Sequence, residues 1–381
     1  MRLKDDGINL LEVDEKFPLG GIHHVTAITS SAQHIYNFFT NILGLRLAKL
    51  TVNQDDYETY HLYFTDEDGN AGTDMTFFDF KDIPKGTKGK NNIDRTGMRV
   101  PTDASVDYWF DRLTKADVVH GNIQTLFGRK YFDFEDMDGQ QYQIVSDQGN
   151  TGVAGGKPWM LSNVEKEHAI IGLGPLFVKV GNYENFKLIL EAVLGFRHTA
   201  SEGKYHQFEI ATGGSGATII AVEAEGELEA VQGYGNVHHL ALRVKDLDSL
   251  QYWIERIQGV RLPNSGFVDR FYFSSEYFLS ARNVLFELAT DTPGKGALEM
   301  VAEGNATITD VEEAKITSGF WIDETKEESG KDLSLPPHLF PGDEATKAAT
   351  AARLRPLDTS DAMRDRNEDA LWTVEDVLKG K

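Results

Sequence analysis

Apolar positions along this chain follow two alternating periods. Stretches such as I-H-H-V-T-A-I (22–28) and V-H-H-L-A-L-R-V (237–244) switch character at every second residue, as strands do with one face buried. Between such stretches the spacing becomes helical: Ile35, Phe38, Phe39 and Ile42 fall on one face of a segment over 32–43. The glycine of L-G-L, Gly44, marks its stop.

This order of strand, helix and several strands occurs four times. The first unit has strands at 22–28, 46–52, 57–65 and 73–80 around the helix 32–43. The second starts at Thr96, with strands at 97–100, 129–135 and 140–145 and a helix over 106–113. The third starts near His168, with a strand at 174–180, a helix over 183–193 stopped by L-G-F, and strands at 205–210 and 217–222. The fourth opens with the strand of His238-His239 and has a helix over 247–257. Strands at 268–273 and 284–289 follow, with an extended piece at 275–279 between them.

These units predict two paired regions, 20–150 and 165–294, joined by a glycine-rich linker over 150–164. Residues 1–19 read as a polar leader. Residues 295–381 read as an acidic, proline-containing extension with a helix over 344–353. Its segment L-P-P-H-L-F-P suits neither regular helix nor central strand. Its last charged residues are expected to be poorly ordered or laid on a partner.

Composition narrows the function classes. There are no cysteines, which excludes disulfides and thiolate metal sites. The formal net charge of −22 repels phosphate backbones, so nucleic acid is not an expected partner. No apolar run reaches the length of a membrane span, and the first residues lack a signal core. A soluble cytoplasmic protein without a membrane partner is expected, and a homo-oligomer is compatible with the sequence.

The candidate chemistry lies in two His-His pairs and one acid. His23-His24 opens the first strand of unit one, and His238-His239 opens that of unit four. Glu287 stands inside the apolar run V-L-F-E-L, where a carboxylate is costly unless something pairs with it. Strand alternation places His238 with Leu240, Leu242 and Val244 on a uniformly apolar face, and His239 with Ala241 and Arg243 on the other. His24 shares its face with Thr26 and Ile28. The cavity-facing members are therefore His24 and His239. A lone strand histidine is more often a core residue than a ligand, but two matching pairs plus a buried acid outweigh that reading. Two imidazoles and one carboxylate match the facial triad of non-haem iron(II), with manganese(II) as the alternative ion. Units one and four must then share one cup, because His24 and Glu287 must meet at one ion. Units two and three would form the other.

Four βαβββ units with L-G-L and L-G-F stops resemble the vicinal oxygen chelate superfamily of glyoxalases and extradiol dioxygenases. The motifs G-I-H-H-V-T, Y-H-L-Y-F, Y-G-N-V-H-H-L-A, D-R-F-Y-F-S-S-x-Y-F and L-F-E-L-A-T-D-x-P-G are more specifically similar to its ring-cleaving hydroquinone dioxygenase branch. The resemblance spans 20–294 and implies an α+β fold in which four βαβββ modules pair into two cupped half-barrels. It implies His24, His239 and Glu287 as metal ligands, with His23 and His238 behind or beside them. Arg270 and Tyr277 match substrate-side residues, and Thr26 a residue near the metal. It implies O2 and a small aromatic diol as substrates. Hydroquinones are expected over catechols, because a single anchoring oxygen needs extra polar contacts. Glu276 stands where an apolar residue is usual, so it either alters the pocket or faces solvent. Gln143 replaces a glyoxalase-type glutamate, which leaves units two and three structural. His61 and His206, at comparable strand positions, are expected to serve packing or the surface. Of Tyr57, Phe77, Phe78, Phe271 and Tyr272, most are expected in the core rather than around an aryl pocket. A metal-dependent lyase or isomerase and an aryl-binding protein are the alternative functions.

Overall fold

The computed structural model describes residues 12–306, 320, 322, 324–337 and 344–380. The leader over 1–11, much of the acidic stretch after 306 and the end of the proline-rich segment lie outside the described residues.

Module one contains β1 (Ile22–Ile28), α1 (Ala32–Asn37), β2 (Arg46–Asn53), β3 (Asp56–Thr65) and β4 (Asp74–Phe78). Module two contains β5 (Asn92–Val100), α2 (Asp103–Lys115), β6 (Gln124–Leu126), β7 (Arg129–Glu135) and β8 (Gln141–Ser146). Module three contains β9 (Gly172–Val180), α3 (Tyr183–Leu188), β10 (Arg197–Glu202), β11 (Tyr205–Glu209) and β12 (Thr218–Glu223). Module four contains β13 (Val237–Val244), α4 (Leu247–Gly259), β14 (Val268–Asp269), β15 (Ser274–Ala281) and β16 (Val284–Thr290).

Two eight-stranded sheets result. One runs β14-β15-β16-β13-β1-β4-β3-β2 and joins module four to module one. The other runs β10-β11-β12-β9-β5-β8-β7-β6 and joins module three to module two. Each sheet thus takes one module from 20–150 and one from 165–294 rather than following sequential pairs. The central seams are antiparallel, β1 on β13 and β5 on β9. The α+β half-barrel architecture is the one the family resemblance implied.

Apolar helix faces cover the outer sides of the sheets. Trp253, Leu250 and Ile257 of α4 are fully buried, as are Trp109, Val106 and Leu113 of α2. Side-chain caps fix where these helices start. Asp246 accepts from the Ser249 amide at 3.0 Å, and Thr102 from the Ser105 amide at 3.1 Å. Gly44 has φ +69, the left-handed conformation that ends the first helical segment.

The sequence expectation of one continuous helix over 32–43 is modified. After Asn37 the helix widens to a π turn, Phe38–Ile42. Thr40 Oγ1 donates to the Tyr36 carbonyl at 2.7 Å and Asn41 Nδ2 to the Asn37 carbonyl at 3.2 Å, side-chain bonds that compete with regular helix bonding. The edge strands β6 and β10 escape the sequence reading because they are mostly polar and exposed, with no alternation to see. The expected strand over 268–273 shortens to β14. The chain turns at Arg270–Phe273, where the Arg270 amide donates to the Phe273 carbonyl at 3.0 Å and Phe271 has φ +66. The extended piece expected at 275–279 is the full strand β15.

The C-terminal expectation needs a larger correction. The last charged residues are not loose: they pack on the chain's own modules. Three short helices follow module four, α5 (Lys295–Ala302), α6 (Glu344–Ala351) and α7 (Val374–Lys379), and α7 belongs to a strap across modules one and two. Arg366 is fully buried and donates to Asn41 Oδ1 at 3.0 Å, to Tyr36 OH at 3.3 Å and to the Asp361 and Arg364 carbonyls at 3.0 Å. Asn37 Nδ2 donates to the Val377 carbonyl at 3.2 Å, and the Val374 amide to the Ala116 carbonyl at 2.9 Å. Charge in the tail hid these specific polar contacts. No helix among the described residues is long and apolar enough to cross a membrane.

Candidate active site

The seam between modules one and four brings three distant side chains to one point. Thr26 of β1 lies opposite His239 of β13. Ala241, two residues further on, pairs with Glu287 of β16, and Glu287 pairs across with Tyr277 of β15. Pleat alternation then aims His24, His239, Glu287 and Tyr277 into the same cup. His24 Nε2 and His239 Nε2 are 3.2 Å apart, and Glu287 Oε2 lies 3.0 and 2.9 Å from them. All three residues are buried, and this is the one such metal-capable cluster among the described residues.

These atoms have the character of an ion's donor set. Glu287 Oε2 is buried and, despite its short distances to the two nitrogens, makes no hydrogen bond of acceptable geometry. Its other oxygen, Oε1, accepts from Ser275 Oγ at 2.5 Å. On the histidines the proton positions follow from one carbonyl. His23 Nε2 is 3.1 Å from the Thr290 carbonyl, which can only accept, so that nitrogen carries hydrogen. Burial, reinforced by His24, holds His23 well below the ordinary histidine range, hence neutral. His23 Nδ1 must then accept from His24 Nδ1, 2.9 Å away. His24 Nε2 faces Glu287 Oε2 at 3.0 Å and His239 Nε2 at 3.2 Å. The second pair repeats the geometry, with His238 Nδ1 2.8 Å from His239 Nδ1.

Charge at the centre is set by competition. Burial works against the Glu287 carboxylate, but His24 and His239 beside it outweigh burial and hold its pKa well below the usual range. Burial lowers His239 against the pull of Glu287. Burial and then His239 push His238 down to about 3. Burial, with the Glu287 charge behind it, raises Tyr277, which keeps its proton at neutral pH.

A cavity of about 440 Å³ opens onto this centre. Phe78, Phe80, Phe273 and Leu285 give it apolar walls; His238, Tyr277 and Arg270 add polar groups. Arg270 Nε donates to Tyr277 OH at 3.2 Å. A larger cavity of about 680 Å³ lies elsewhere, beside Arg99, Arg243 and the glycine-rich segment 153–156. Its two arginines are already paired, with Asp147 at 2.6 Å and Asp291 at 2.8 Å, and the three converging donors do not line it. Chemistry therefore points to the smaller cavity.

The structure brings together His23, His24, His238, His239, Arg270, Tyr277, Glu287 and Thr26, whose Oγ1 is 2.9 Å from His239 Nε2. Glu276 behaves otherwise than expected. Next to Tyr277 on a strand, it points to the opposite face; it is fully buried and touches neither pocket nor solvent. His61 is not a surface residue. It lines the cavity and continues a chain from His239 through Thr26 and Thr76, with Thr26 and Thr76 hydroxyls 2.7 Å apart and Thr76 3.0 Å from His61 Nε2. His206 is not its counterpart: it stacks on Tyr183 of α3 at 4.1 Å and pairs with Glu223. Of the aromatics considered, Phe78 walls the cavity, while Phe77, Phe271 and Tyr272 belong to packed clusters. Tyr57 is 39% exposed.

Sequence reasoning missed Ser275, Thr76 and the turn Gln54–Asp55. Ser275 had a faint signal, a hydroxyl on the same strand face as Tyr277 and diagonal to Glu287.

The second cup shows what stands in the corresponding places. By register, Arg95 takes the place of His239, Phe177 that of Thr26, Gln143 that of Glu287 and Asp133 that of Tyr277. Arg95 and Asp133 form an ion pair at 2.6 Å, Gln143 Nε2 donates to Asp133 at 3.2 Å, and the guanidinium lies over Phe177 at 4.9 Å. A void of only about 10 Å³ is left there.

Known proteins place this geometry in a family. A family described as the Glyoxalase/Bleomycin resistance protein/Dioxygenase superfamily matches residues 21–144. The chain is 34% identical to MhqA of Bacillus subtilis (strain 168), provisionally named a ring-cleaving dioxygenase, over 89% of this chain and 99% of that protein. It is 28% identical to the chlorohydroquinone/hydroquinone 1,2-dioxygenase of Sphingobium indicum, over 84% of this chain and 92% of that enzyme. A crystal structure provisionally named a dioxygenase from Bacillus subtilis subsp. subtilis str. 168 aligns with a TM-score of 0.75 and 30% identity, covering 90% of this chain and 98% of the other. The chain belongs to the glyoxalase/bleomycin resistance protein/dioxygenase superfamily.

Proposed function

We propose that this protein is an iron(II)-dependent ring-cleaving dioxygenase of the extradiol type that acts on hydroquinones and places both atoms of O2 in the product. The observation that carries the reading is the buried donor set: His24 Nε2, His239 Nε2 and Glu287 Oε2, the last without a hydrogen bond, all converging. His24, His239 and Glu287 would hold the ion. Iron(II) held there would supply the path by which electrons pass from an aromatic diol to O2.

The chain's own residues supply the rest. The aromatic walls hold the ring and exclude water from it. Arg270 offers a cation to a phenolate, and Tyr277, still protonated, offers a hydrogen bond beside it. His238, neutral and lining the cavity, gives the ring's far hydroxyl a partner. A catechol would chelate through adjacent oxygens and need little of this. A hydroquinone anchors through one oxygen and relies on such contacts for orientation. The names of the relatives support the same class.

Anaerobic loading with iron(II), followed by oxygen uptake with matched hydroquinones and catechols, tests the reading. Hydroquinone-dependent uptake with a product two oxygen atoms heavier is expected. His24→Ala, His239→Ala and Glu287→Ala should each lose bound iron by elemental analysis while keeping their far-ultraviolet circular dichroism. Unchanged iron in all three variants, or no uptake with either series in a ferrous sample, would sink it.

A further inference from the structure

The sheet that carries the site has β2 at one edge and β14 at the other. Its two ends meet across the cavity mouth. The turn between β2 and β3, Gln54–Asp55, reaches over to the residue after β14. Gln54 Nε2 donates to the Arg270 backbone carbonyl at 2.6 Å, and Arg270 Nη2 donates to Asp55 Oδ2 at 2.8 Å. The turn is itself braced, with the Asp55 amide donating to Asn53 Oδ1 at 2.9 Å. Held at both ends, Arg270 lies with its guanidinium 5.2 Å from the Tyr277 ring centre. Asp55 is 72% exposed and Arg270 only 18%, so the pair bridges solvent and cavity.

We propose that Asp55 is a positioning and specificity residue: it fixes the Arg270 guanidinium against Tyr277 and selects neutral aromatic diols over carboxylated ones. The inference rests on the diol reading of the same site. A half-buried guanidinium without a partner is a trap for carboxylates, because its planar fork matches them in two bonds. With Asp55 on Nη2, that fork is already engaged. A ring carboxylate arriving there meets Asp55 and its neighbour Asp56, which also lines the mouth. A neutral diol has no charge to be repelled, and the Tyr277 side of Arg270 remains turned toward the cavity. An ion pair as exposed as this contributes little to stability, so its removal leaves the fold in place and changes selection instead.

The test compares equilibrium binding, without oxygen, of hydroquinone and of 2,5-dihydroxybenzoate to the metal-loaded protein. The two ligands share the para hydroxyls and differ by one carboxylate. Wild type should prefer hydroquinone. Asp55→Asn, nearly isosteric, should shift the preference toward the carboxylated ring by about tenfold or more, the scale of a like-charge contact removed. Asp55→Glu should restore it. With hydroquinone and oxygen, Asp55→Asn should raise KM more than it lowers kcat. An unchanged binding ratio in Asp55→Asn, with hydroquinone turnover intact, overturns the role of Asp55 and leaves the dioxygenase reading standing. A wild type that binds both rings equally also overturns it. A wild type that binds neither ring overturns the diol reading and this inference with it.

Discussion

Ser275→Ala isolates the support behind the proposed metal ligand. Ser275 is fully buried, and its hydroxyl donates to Glu287 Oε1 at 2.5 Å, leaving Oε2 to face the histidines. Alanine removes one oxygen atom and no packing layer. A hydrogen bond to a buried charged group contributes about 1.5–3 kcal/mol. That corresponds to roughly 10- to 150-fold in an equilibrium constant, and ligand-supporting partners elsewhere cost about 10- to 100-fold in metal affinity when removed. The expected result is therefore a Kd for iron(II) or manganese(II) raised about 10- to 100-fold. Anaerobic competition against a chelating dye measures it, with circular dichroism as the check on folding. The metal-free protein should also lose about 1–3 kcal/mol of unfolding free energy, because the carboxylate loses a donor that buried surroundings cannot replace. A metal Kd within threefold of wild type would refute the reasoning: Glu287 would then be oriented by its strand alone.

Two further outcomes concern stability. Arg366→Ala breaks four hydrogen bonds of a fully buried guanidinium and orphans Asn41 Oδ1 and the Arg364 carbonyl, so chemical denaturation should show a loss of about 3–5 kcal/mol. Glu276 has no partner for either carboxylate oxygen among the described residues, and burial pushes its pKa up to about 8. Because the folded protein then holds a proton that the unfolded chain releases above the ordinary glutamate range, stability falls as pH rises from about 5 to 8. Glu276→Gln should remove that fall, and a stability advantage that does not widen over this interval in paired denaturation curves would contradict it.

The parts legible in the sequence were those with a local period. His24 and His239 could be chosen from their pairs because a strand shows alternate faces, and Glu287 because charge inside V-L-F-E-L is conspicuous. The four units followed from one repeated strand and helix rhythm, while their pairing into cupped half-barrels came from the family resemblance of the motifs. What escaped depends on contacts between remote segments. Asp55 matters only because Arg270, 215 positions away, is turned toward it by a break in the chain at Phe271. Arg366 reads as one more charge in a charged tail until Tyr36 and Asn41 close around it. Glu276 was visible as an anomaly, but its direction depended on whether Tyr277 or Glu276 faced the cup, and the pairing of Tyr277 with Glu287 decides that.

The marriage of the first module to the last has a consequence for how the protein comes into being. His24 and His239 are 215 positions apart, while modules two and three are neighbours in the chain and can close their sheet as soon as both exist. As a ribosome delivers the chain, β1 waits with one edge bare until β13 arrives, and an unpaired edge is a template for aggregation. The donor set therefore cannot assemble before the chain has been made through Glu287. Capture of the proposed ion would then certify that the fourth module has been made: no fragment ending before it carries all three donors.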